Sequence, residues 1–148
     1  MATVNPYLMF NGNCKEAFDF YKNAFGKEFA DINFFSDMPP QEGMPPLSAA
    51  QKGMVMHVKL EISAETILYG SDIFPGTPDF KTGDNYAVSI NADSREEANH
   101  LFSKLSEGGT VTMPLADTFW GAYFGMWKDK FGIDWLVNYD DPAKVQPQ

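Results

Sequence analysis

The chain has 148 residues, enough for one ordinary domain with a real core, and 44% of them are apolar, which excludes a disordered chain. Eleven basic and twenty acidic side chains leave a formal charge of −9 with no Lys/Arg cluster, which argues against nucleic acid or an anionic membrane as partner. The single cysteine, Cys14, excludes an internal disulfide and any cysteine-based metal cluster.

Val4 to Asn11 alternates and is rich in Tyr, Leu, Met and Phe, which predicts a strand. Asn13, with Glu16 three residues on, predicts a helix start of the capping-box kind. Ala17, Phe20, Tyr21, Ala24 and Phe25 then fall on one helical face, and Gly26 stops the helix. Glu28 to Phe35 reads as a second strand. Asp37 to Gly53 carries Pro39, Pro40, Pro45 and Pro46 with Gly43 and Gly53. It is read as a loop with no regular element, either a surface excursion or a lid.

Met54 to Ile62 alternates as a strand. Met54, Met56, Val58, Leu60 and Ile62 share one face; Val55, His57, Lys59 and Glu61 share the other. Glu65 to Ile73 is its antiparallel partner, and 74–84 is the linker. Tyr86 to Asn91 is the next strand, and Ser94 with Glu97 starts a helix running to about Leu105. Thr110 to Leu115 is a short strand. Trp120 to Trp127 is a strand whose Gly121 and Gly125 predict close backbone approach. Asp129 to Gly132 is a turn, Ile133 to Tyr139 the final strand.

The second half repeats the first. Asn5, Phe10 and Asn11 correspond to Asn85, Ile90 and Asn91, and Asn13, Glu16, Ala17, Phe20, Tyr21 and Ala24 to Ser94, Glu97, Ala98, Leu101, Phe102 and Leu105. The order is β-α-β-β-β twice. The expectation is an α+β chain, one domain (1–148) of two pseudo-repeat modules, 1–75 and 84–141, joined by linker 74–84.

Pro6-Tyr7-Leu8-Met9-Phe10-Asn11-Gly12, Glu16-Ala17, Phe20-Tyr21, Phe25-Gly26, Gly70-Ser71-Asp72, Trp120-Gly121, Asp129, Phe131-Gly132 and Trp135 carry a resemblance that covers nearly the whole chain. In that order and spacing they resemble the vicinal-oxygen-chelate superfamily of glyoxalases, bleomycin-resistance proteins and dioxygenases. Within it they are similar to the PhnB-like, demethylubiquinone methyltransferase-like branch. The resemblance implies a glyoxalase/bleomycin-resistance-like fold: two βαβββ modules with curved mixed sheets, a cavity on their concave side, and a homodimer. The methyltransferase label finds no support, since no Gly-rich loop of the S-adenosylmethionine kind follows a strand.

The superfamily's enzymes hold a divalent metal with His, Gln and Glu. The matching positions here fall at or near Asn5, Asn85 and Leu136, a poor donor set. No metal residue and no cofactor are therefore assigned, and a divalent metal stays open as the alternative. His57 is the candidate catalytic residue, as a general base or a donor to a ligand oxygen, against the plain alternative of a half-exposed strand histidine. A metal held by His57 with Glu61 or Asp72 is the variant that the spacing permits. His100 reads as solvated. Asn5, Tyr7, Tyr69, Asn85 and Trp120 are the candidate substrate contacts; Tyr123, Trp127 and Trp135 are further aromatics that suit either a cavity or the core.

The sequence thus supports a small-molecule-binding homodimer without the usual metal. The alternatives are a metal-dependent lyase or dioxygenase, and a structural or regulatory dimer whose cavity is filled. No basic or apolar leader and no membrane-length apolar run is present, so the expected location is cytoplasmic, with no membrane partner.

Overall fold

A computed structural model describes residues 2–39, 42–43, 45–75 and 77–143. The chain divides into two compact units, Met1–Lys81 and Thr82–Gln148. Each contains one four-stranded mixed sheet with a long helix on one face. Among the described residues no helix is long and apolar enough to cross a membrane.

In the first unit, β1 (Tyr7–Phe10) leads into α1 (Cys14–Phe25), followed by β2 (Phe29–Phe34), β3 (Val55–Glu61) and β4 (Ile67–Asp72). The spatial order is β1-β4-β3-β2, with β1 parallel to β4 and the other neighbours antiparallel. Helix α1 forms because Cys14, Ala17, Phe18, Tyr21 and Ala24 recur at helical spacing and are all buried. Gly26 ends it in the left-handed conformation with φ 66°, which glycine adopts without strain. Gly70 is required by the same packing: a Cβ there would overlap the buried Phe18 ring.

Three local readings change. The Asn13 side chain does not cap α1. The Asp72 carboxylate does so instead: Oδ1 accepts from the Gly12 and Cys14 amides at 2.8 and 3.0 Å, and Oδ2 from the Val55 amide at 2.8 Å. A charged acceptor from another strand outcompetes the local amide because a charge-assisted bond is the stronger one. The strict alternation of β3 also breaks. Asn33 pairs with His57 but Phe34 with Val55, so Met56 is bulged and Val55 turns in beside Val58 and Leu60, each fully buried.

The Pro-rich stretch, read as having no regular element, begins with a 3-10 turn (Phe35–Asp37) and holds α2 (Ala49–Lys52). Ser48 and Gln51 close a reciprocal capping box on α2, with bonds of 3.2 and 2.9 Å. The prolines masked this short signal. Pro40, and with it part of the expected lid, lies outside the described residues.

The second unit repeats the topology: β5 (Val88–Asn91), α3 (Arg95–Leu105), β6 (Thr110–Asp117), β7 (Ala122–Lys128) and β8 (Asp134–Asp140), in the order β5-β8-β7-β6. Ser94 Oγ accepts from the Glu97 amide at 3.0 Å as expected, while Glu97 reaches the Asp93 amide rather than that of Ser94. β6 is longer than expected and runs to Asp117. Trp120 is not on a strand. It occupies the turn closed by Thr118, whose Oγ1 and amide both bond the Ala122 carbonyl. Gly125 has no room for a Cβ, which would stand 2.9 Å from the Phe102 ring, as its place in a strand led one to expect.

Cys14 is fully buried, and burial first, the Asp72 charge second, push its thiol far above the ordinary range. The folded state therefore keeps this proton where the unfolded chain, with a thiol pKa of about 8.5, releases it. Stability associated with this group is complete below about pH 8.5 and is lost as pH rises above it. The expected results are no reaction with a disulfide reagent at pH 8 in the native state and one reactive thiol in denaturant. Rapid native labelling would contradict this burial.

Candidate functional site

Helix α1 covers one face of the first sheet, where Leu8, Phe10, Val58, Leu60 and Leu68 are buried. The opposite face carries the exposed Tyr7 and Met9. Strand periodicity and register place Tyr7, His57 and Tyr69 there: Tyr7 pairs with Tyr69 across the parallel β1–β4 ladder, and His57 lies on β3 next to β4. The rings meet. Tyr7 and Tyr69 are near parallel, with centroids 6.2 Å apart and planes at 13°. The His57 ring lies 6.2 Å from Tyr7 and 5.7 Å from Tyr69, tilted 34° to each. Tyr7 is 49% exposed and its neighbour Met9 52%. The three rings thus form an accessible triangular platform with two phenol groups and an imidazole at its edges.

The remaining candidates lie elsewhere. Asn5 Oδ1 accepts from the Ile67 amide at 3.2 Å, tying the chain before β1 to the start of β4. Asn85 is exposed in a bend of the second unit. Trp120, 51% exposed, packs edge-on against Phe119 at 4.9 Å and Phe124 at 6.2 Å, also in the second unit. Three of the six candidates (Tyr7, His57 and Tyr69) therefore converge within one unit.

Of the further aromatics, Trp127 and Trp135 are core: each is 1% exposed, and they stack with planes at 2°. Tyr123 donates to Asn99 Oδ1 at 2.6 Å and carries the Arg95 guanidinium over its ring at 4.1 Å, so it anchors α3.

Among the described residues no three His, Cys, Asp or Glu side chains come together to hold an ion. Asp72, once a partner for His57, faces α1 and binds three backbone amides. Leu136, at the position of the usual Glu, pairs in register with Ser89 and Met126. It offers no donor atom.

The sequence reading did not name Lys59 as a contact, although the alternation of β3 put it on the face of His57. In register Lys59 stands beside Tyr69 on one side and Asp31 on the other. A separate depression of about 340 Å³ lies at the end of this sheet, lined by Lys27, Glu28, Glu61, Ile62, Ser63 and Ala64. It contains none of the six candidates above and, of the carboxylates weighed as partners for His57, only Glu61. Its mixed charges define no ligand.

Comparison with known proteins agrees with this topology. The family described as 3-demethylubiquinone-9 3-methyltransferase matches residues 2–138. Protein YjdN of Escherichia coli (strain K12) is 29% identical over 97% of this chain and 97% of its own length. The crystal structure of protein PA1353 from Pseudomonas aeruginosa is 38% identical, with a TM-score of 0.81 over 95% of this chain and 98% of that one. A PhnB protein from Bacillus cereus is 24% identical at a TM-score of 0.71, covering 93% and 99% of the two chains. The fold extends further. A glyoxylase/bleomycin resistance protein/dioxygenase domain from Frankia sp. EAN1pec reaches a TM-score of 0.64 at 10% identity, over 97% and 95% of the two chains.

Proposed function

The chain belongs to the family described as 3-demethylubiquinone-9 3-methyltransferase, and from that membership we propose that it is a small-molecule-binding protein of the glyoxalase/bleomycin-resistance type. The observation that carries this reading is the cluster of Tyr7, His57 and Tyr69 on the face of the first sheet turned away from α1. Aromatic faces with polar tips take up flat or apolar molecules and orient them by hydrogen bonds at the edge. His57 contacts the ligand, or acts as general base should the ligand react.

Methyl transfer is not part of the proposal. An S-adenosylmethionine site of the doubly wound kind needs a parallel sheet and a Gly-rich first turn. Both sheets here are four-stranded and mixed. Assembly as a homodimer and a cytoplasmic location belong to the same proposal. Equilibrium sedimentation tests the dimer.

The test of the ligand site is a thermal-shift screen against apolar and aromatic metabolites, repeated on Tyr7→Ala and Tyr69→Ala. Compounds that stabilise the native protein are expected to lose at least about 1 kcal/mol of binding, roughly fivefold to tenfold in affinity, in either variant. Hits bound equally by both variants would place the ligand elsewhere. One equivalent of Zn, Ni, Mn or Fe retained per chain after chelator-free purification would replace this reading by the metal-dependent one.

A further inference from the structure

The groups around the ring platform differ in what they can donate and accept. Tyr7, Tyr69, His57 and Lys59 share the face turned away from α1, and their side-chain polar atoms make no hydrogen bond or ion pair with a described residue. Two phenols and an imidazole can donate or accept, but an ammonium is donor only. Lys59 therefore decides the sign. Its register neighbour Asp31 accepts from Asn33 Nδ2 at 2.9 Å and forms no ion pair with Lys59. Glu61, two residues along β3, is exposed and forms none either. Lys15, Lys22 and Lys128, by contrast, are all paired with carboxylates.

We propose that this face takes an oxyanion carried on a flat apolar body, with the body on the Tyr7–His57–Tyr69 platform and the anionic oxygens on Lys59; an aromatic carboxylate is the simplest such molecule. This rests on the ligand-binding reading above and adds the chemical class. The formal charge of −9 opposes an anion at long range. That field decays within about 8 Å at physiological salt, so the donors in contact decide. Charge-assisted hydrogen bonds exceed neutral ones by enough to discriminate.

Three probes with one ring and three charges test it: benzoate, benzyl alcohol and benzylammonium, each titrated while the ring signals of Tyr7 and Tyr69 are followed by NMR. Benzoate is expected to shift both residues saturably, with a Kd at least about tenfold below that of benzyl alcohol and lower still relative to benzylammonium. Lys59→Met should remove the benzoate advantage and leave benzyl alcohol unchanged, while Lys59→Arg keeps it. Equal affinities for benzoate and benzyl alcohol, or tightest binding of benzylammonium, would overturn the oxyanion assignment and leave the platform standing. Silence of Tyr7 and Tyr69 toward all three probes would overturn both.

Discussion

Asp72→Ala is expected to destabilise the protein by about 4 kcal/mol, a large share of the roughly 5–15 kcal/mol by which folded domains are stable. The side chain is 3% exposed and its two oxygens hold three amides from three places: Gly12 in the β1–α1 turn, Cys14 at the start of α1, and Val55 at the start of β3. Removing it leaves three donors without an acceptor where little water reaches, and each orphaned group costs about 1–3 kcal/mol before relaxation. Asp72→Asn keeps one acceptor oxygen but turns the other into a donor facing a donor, so it should recover less than half of the loss. Chemical denaturation measures both. A loss under about 1 kcal/mol for the alanine variant would mean that this carboxylate does not organise the turn.

Asp129→Ala is expected to cost about 3 kcal/mol through the second unit alone. Asp129 is 3% exposed and accepts from the Phe131 and Ile133 amides at 2.8 and 3.0 Å and from the Trp135 indole at 2.8 Å. It therefore shapes the β7–β8 turn and fixes the ring that stacks on Trp127. The readout that separates this from general loosening is Trp135. Its indole N–H, protected in the native protein, should exchange faster and move upfield in the variant. An unchanged Trp135 signal would contradict the assigned role. The comparison also bears on Trp127, whose buried indole N–H has no hydrogen-bond partner among the described residues and relies on ring packing with Phe102 at 5.2 Å.

The repeated architecture was legible because its signals are periodic. The apolar spacing of α1 and the Ser94–Glu97 cap survive whatever surrounds them. What the sequence hid was long-range. Asn13 has the composition of a cap, but Asp72, 58 residues beyond Cys14, does the capping. No local pattern encodes that partner. The bulge at Met56 is equally silent, since it arises from the pairing with Asn33 and Phe34. At the candidate site, His57 and the two tyrosines were legible as residue types suited to binding. Their meeting depended on strand order, which sets β4 between β1 and β3. Trp120 was misplaced because Gly121, with φ 91°, belongs to the turn and not to the strand that follows.

The most direct measurement is NMR of protein with labelled tyrosine and histidine rings, titrated with the best compound from the thermal-shift screen. The six tyrosines report on both units, since Tyr7, Tyr21 and Tyr69 lie in the first and Tyr86, Tyr123 and Tyr139 in the second. The expected result is saturable movement of Tyr7, Tyr69 and His57, with buried Tyr21 unmoved. Saturation with Tyr7, Tyr69 and His57 all stationary would contradict the assignment of the ligand site to this face.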